Sequence, residues 1–106
     1  MPHTTAGQDE AEVWLMPVFT AKSGQDTALN EALIALQSLS RKDPGCLEYT
    51  VFSDDHRPGT FVLIEGWVCH ADLEAHNAEA HVKEFVDAVQ PMLAVPFSVN
   101  PITPLI

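Results

Sequence analysis

The stretch "FVLIEGWV", residues 61–68, decides how the rest of the chain is read. It is rich in β-branched and aromatic residues and is bounded by turn residues, which marks a strand. Side chains alternate across a strand. Phe61, Leu63, Glu65 and Trp67 therefore point one way, and Val62, Ile64, Gly66 and Val68 the other. Both sets are largely apolar, so the sheet that holds this strand needs cover on both faces. Glu65 is the odd residue, a carboxylate whose burial is costly unless it is partnered.

Reading outward, "CLEYTVF" (46–52) alternates as a second strand, and "SDDHRPGT" (53–60) turns between the two to make a hairpin. Upstream, "EVWLMPVFTA" (12–21) reads as a strand in which Pro17 implies an edge, a bulge or a gap in the ladder. Leu29, Leu33, Leu36 and Ser40 then form one stripe at helical spacing, widened by Ala32 and Leu39. "DPG" at 43–45 stops that helix. Residues 70–77 read as a short helix and 79–94 as a longer one, with a stripe of Val82, Phe85, Val86, Val89 and Leu93. "PFSVNPITP" (96–104) is a last short strand, marked by its prolines as an edge or exchanged element.

The order is β-α-β-β-α-β, the α+β ferredoxin-like pattern, which predicts a four-stranded antiparallel sheet with helices on one face only. The other apolar face still needs cover. A second chain's sheet is the simplest cover, so a homodimer with two-fold symmetry is expected. The domain runs over 12–106, and residues 1–11 are expected to form a mobile tail.

Composition narrows the partners. Fifteen acidic residues against five scattered bases give a net charge of −10. Nucleic acid binding needs a basic face and is excluded. No apolar run approaches the roughly 20 residues that cross a bilayer, so no membrane partner is expected. The polar N-terminus does not read as a secretory signal, so a cytoplasmic chain with Cys46 and Cys69 as free thiols is expected, although the hairpin would allow them a disulfide if their Cα atoms lie within about 7 Å. A neutral or weakly acidic organic ligand fits the charge best.

"DPGCLEYTVF", "FVLIEGW" and "ADLEAHNAEAHVKEFVDAV", in this order and spacing, resemble the antibiotic biosynthesis monooxygenase (ABM) family, in particular its quinol-monooxygenase-like branch. The resemblance implies a dimeric α/β barrel formed by two sheets, with a pocket between sheet and helices in each chain. It also implies oxidation of phenols or hydroquinones with O2, without flavin or metal. Other members of the family are isomerases of small carbonyl compounds, haem degraders, or proteins without known activity. Departures from the pattern are informative. Leu63 and Leu73 stand where the aromatic-polyketide oxygenases carry Asn and Tyr, and His76 and Val86 stand where haem degraders carry Trp and the iron-binding His. Haem breakdown is therefore not expected.

"EGWVCHADLEAHNAEAH" (65–81) holds three of the five histidines. His70, His76 and His81 are spaced by six and five residues, not the four that lets two imidazoles on one helix meet an ion. Five helical steps leave rings roughly 140° apart. A break between the helices near Asn77–Ala78 could alter that, but no Cys or carboxylate nearby completes a ligand set, so no metal is expected. His76 shares a helix face with Asp72 and Leu73 and is the candidate general base. Its bland alternative is a half-buried imidazole bonded to a backbone carbonyl. Glu65 is the candidate catalytic carboxylate, orienting His76 or holding a substrate hydroxyl, or else a structural partner. Trp67 is a core anchor and the candidate wall for an aromatic ring. Leu63 and Phe85 are expected beside it, and His81 either at the pocket mouth or on the surface. Cys69 stands at the helix cap, where a thiol caps poorly.

Three functions are open on these residues: a cofactor-independent oxygenase, an isomerase or tautomerase using the same acid and base, and a ligand-binding stress protein. Whether Tyr49 or Phe52 enters the pocket depends on strand register.

Overall fold

The computed structural model describes residues 11–106. All but Ala11 of the expected N-terminal tail therefore lies outside the described residues. Strands β1 (Val13–Thr20), β2 (Cys46–Ser53), β3 (Thr60–Trp67) and β4 (Ser98–Ile102) form one sheet in the order β2-β3-β1-β4. All neighbours are antiparallel. Helices α1 (Asp26–Ser40), α2 (His70–Asn77) and α3 (Ala80–Val89) complete the ferredoxin-like α+β fold.

β1 is an inner strand, flanked by β3 and β4, although it contains Pro17. Pairing with β3 runs to Leu15↔Glu65 and resumes at Val18↔Val62. The proline thus sits in a gap of the ladder, where its missing N–H costs least. Asn100 helps hold the other side by donating from Nδ2 to the Met16 carbonyl at 3.0 Å.

The expected helix over 79–94 is shorter. α3 ends at Val89 and a single 3₁₀ turn, Gln90–Met92, follows. Pro91 explains this: its ring and absent N–H cannot continue an α-helix but fit the first turn of a new one. At the start of α2, Cys69 makes no side-chain cap; its thiol reaches the Asp72 carboxylate instead, at 3.4 Å.

The inner face of the sheet and the helical stripes make the core. Leu29, Leu33, Trp67 and Val89 have no exposure at all. The register settles β2: Tyr49 pairs with Glu65 and points inward, 2% exposed, whereas Phe52 points outward and is 51% exposed. On the outer face Trp14 lies directly over Gly66. A Cβ there would come within 2.5 Å of the indole, so only glycine fits.

Gly45 matters more for the site. It lies at φ +80° in the turn after α1, and a Cβ would clash with the Asp72 carboxylate of α2. Its lack of a side chain lets the 43–45 turn press against α2. The Gly45 carbonyl accepts from the Val68 N–H at 2.8 Å, fixing that approach. Asp43 is thereby carried to the helix that holds His76.

Candidate active site

A cavity of about 130 Å³ lies between the inner face of the sheet and α3. Most of its wall is apolar, with Leu63, Phe85, Val82 and the edge of Tyr49; Glu65 and His76 are the ionisable groups that could act on a ligand at neutral pH. Burial pushes the Tyr49 phenol far up, so it stays protonated.

Glu65 reaches the cavity from the middle of β3 and is 6% exposed. The Trp67 indole N–H donates to its Oε1 at 2.8 Å. Burial raises its pKa, and the Trp67 hydrogen bond opposes that only in part. The group is thus a carboxyl that holds its proton to higher pH than an exposed glutamate.

His76 arrives from the last turn of α2 and is 3% exposed. Its Nδ1 lies 2.8 Å from Asp43 Oδ2. Its ring stacks at a tilt of 34° on Trp67, with centroids 4.4 Å apart, and meets the edge of Tyr49. Burial lowers its pKa, outweighing the upward pull of the Asp43 hydrogen bond and charge. A neutral imidazole with a carboxylate at Nδ1 places its proton there and leaves a lone pair on Nε2. Nε2 is the nitrogen available to a ligand.

Asp43 also receives a second histidine. His81 Nε2 lies 2.9 Å from the same Oδ2. The break between α2 and α3 at Ala78–Glu79 turns the second helix, so the five-residue spacing no longer sets the rings on opposite sides. Their centroids are 6.1 Å apart. One atom each of Asp43, His76 and His81 lies within 4.8 Å of the others, a set that offers metal ligands.

Of the residues expected at the site, Leu63, Glu65, His76 and Phe85 line the cavity. Trp67 does not: it ends β3 with 0% exposure and stacks on the ring of His76, which does line the cavity. Its place is to support His76 and hold Glu65. His81 also lies off the cavity, on the far side of Asp43 in a shallow groove between α1 and α3. It is half-buried and bonded, and so is neither at the pocket mouth nor a free surface group. Glu65 does not orient His76. That contact belongs to Asp43, which the sequence marks only as part of a helix-stopping "DPG".

Comparison with known proteins adds the lineage. The family model described as Antibiotic biosynthesis monooxygenase matches residues 13–88. YcnE of Bacillus subtilis, provisionally named a monooxygenase, is 34% identical over 71 residues, covering 67% of this chain and 74% of its own. The uncharacterized protein sll1783 of Synechocystis is 32% identical over 61 residues, which span 58% of this chain but only 42% of that protein. The crystal structure of PA3566 from Pseudomonas aeruginosa superposes with a TM-score of 0.84 at 30% identity, covering 92% of this chain and 98% of its own.

Proposed function

The chain belongs to the antibiotic biosynthesis monooxygenase family, and we propose that it oxidises a small phenol or hydroquinone with O2, using no cofactor. The observation that carries this reading is a buried, neutral His76 whose Nδ1 is tied to Asp43 while its ring borders an apolar cavity. That is the arrangement of a general base with its tautomer set in advance.

Size selects the ligand class. A dry apolar cavity of about 150 Å³ admits benzene. The 130 Å³ here therefore suits a single ring rather than a polycycle. His76 Nε2 takes the phenolic proton. The phenolate, far more electron-rich than the phenol, passes one electron to O2, and the phenoxyl–superoxide pair joins at a ring carbon. The histidine returns its proton to the peroxide. The O–O bond then breaks as the ring C–H proton leaves, giving a quinone and one water. Each turnover consumes one phenol and one O2, with no outside reductant. Glu65, protonated more readily than an ordinary glutamate, holds a substrate oxygen by hydrogen bond. The apolar wall excludes water from the radical pair.

The outer face of the sheet, with Trp14, Val62, Ile64 and the exposed Phe52, is covered by a second copy in a homodimer. Oxygen uptake with a panel of one-ring hydroquinones tests the activity. Uptake by the native protein that His76→Ala reduces about 10²–10⁴-fold is expected. Uptake unchanged in that variant removes His76 from the chemistry.

A further inference from the structure

We propose that Asp43, His76 and His81 form a binding site for a divalent metal ion of the zinc class, and that an ion bound there stops His76 from acting as a base. The first half stands on geometry alone. The second half rests on the proposed function above.

The three donor atoms come from three separate elements: the turn after α1, the end of α2 and the start of α3. Asp43 Oδ2 is 2.8 Å from His76 Nδ1 and 2.9 Å from His81 Nε2, and all three atoms fall within 4.8 Å of one another. A tetrahedral ion with bonds of about 2.0–2.2 Å sets its ligand atoms roughly 3.3 Å apart. The carboxylate oxygen must withdraw by about 0.5 Å from each nitrogen, and the two nitrogens, no more than 4.8 Å apart, must settle at the same spacing; one ion then stands where two N–H protons did. Two imidazoles and one carboxylate suit zinc and its first-row neighbours. Calcium and magnesium prefer all-oxygen sites.

The surroundings favour a cation. The set carries one formal negative charge when both rings are neutral, and the whole chain carries −10. Solvent reaches the cluster from the His81 side, where the His81 and Asp43 side chains are 18% and 11% exposed. A water can take the fourth position there.

The consequence follows from the tautomer. In the hydrogen-bonded state the His76 proton sits on Nδ1 and the Nε2 lone pair is free. With a metal on Nδ1 the proton must move to Nε2, on the side of the cavity. The same ring then donates a hydrogen bond and accepts no proton. No proton is lost from the protein overall; it changes place within the ring.

The test uses the full chain after chelator treatment, titrated with Zn²⁺ by calorimetry and with Co²⁺ by visible absorption. The expected result is one ion per chain, a Co²⁺ spectrum of tetrahedral intensity and a rise in melting temperature. His81→Ala and Asp43→Asn each weaken binding by about a hundredfold or more, while His70→Ala, which removes an exposed ring paired with Glu74, leaves it unchanged. Native protein that shows no saturable binding, or binding lost with His70 and kept without His81, overturns the site. If native protein turns over a hydroquinone, one equivalent of Zn²⁺ should halt it and chelator restore it. Full activity with the site loaded overturns the switch. Lack of turnover with every hydroquinone counts against the proposed function and leaves the binding result standing.

Discussion

The two faces of the sheet are nearly equal in apolar content, yet they ask for different things. The inner face is packed under helices, closes on Leu29, Leu33 and Trp67, and leaves a small cavity lined by Glu65 and His76. Among the described residues no helix lies over the outer face, which exposes Phe52 by half. An apolar pattern alone therefore says that a surface must be covered, not by what. The inner cover comes from within the chain and leaves room for chemistry. The outer cover is expected from another copy.

Four substitutions sharpen that contrast. Trp67→Ala removes the largest fully buried side chain and the donor to Glu65, so a loss of about 3–5 kcal/mol in urea unfolding is expected. A loss below 1 kcal/mol would mean that the inner face is far looser than its burial implies. Asp43→Asn leaves a group of the same shape beside His76 but no longer enforces the Nδ1–H tautomer, because an amide can also donate. Turnover of a one-ring hydroquinone should fall about 10–100-fold, equivalent to ~1.4–2.7 kcal/mol of barrier. Unchanged turnover would show that the carboxylate does not set the tautomer.

Glu65→Gln has a pH signature. The folded pKa of Glu65 lies above its unfolded value, so its native stabilisation is greatest at low pH and is lost as pH rises through the folded pKa. Glutamine keeps an acceptor for the Trp67 N–H and never ionises. The variant should be more stable than the native protein at pH 8 by on the order of 1 kcal/mol, with a smaller gain at pH 5. Equal gains at both values would remove the buried carboxylate as the cause. Ile64→Lys, on the outer face, should have the smallest effect on the chain itself. Its far-UV circular dichroism should match the native spectrum while sedimentation shifts from dimer to monomer. A dimer that survives the lysine must use another surface.

The fold was legible because its signals are periodic and local. The alternation of 61–68 and the stripe of α1 each follow from a few neighbouring residues. The exceptions have local causes too: Pro91 cuts the last helix short, and Pro17 is tolerated inside the sheet because a gap in pairing receives it. The site was legible only where it shares that periodicity. Leu63 and Glu65 face inward by strand parity, and Phe85 by the helical stripe. Asp43 gave no such signal. It meets His76 across 33 residues through a turn whose close approach depends on Gly45. The place of His81 is not legible, because the break between the two helices leaves their mutual angle open and that angle is not written in any single residue. Trp67 was expected on the cavity wall because aromatic residues there bind rings, but its register with Cys46 puts it under the imidazole instead.

The central claim is that His76 removes a proton from the bound ligand. Mixing the protein anaerobically with a one-ring hydroquinone, selected by oxygen uptake, isolates that step from the reaction with O2. The native protein should develop the red-shifted absorbance of a bound hydroquinone anion, and His76→Ala should bind the ring without it. A variant that forms the anion as readily as the native protein would contradict the account.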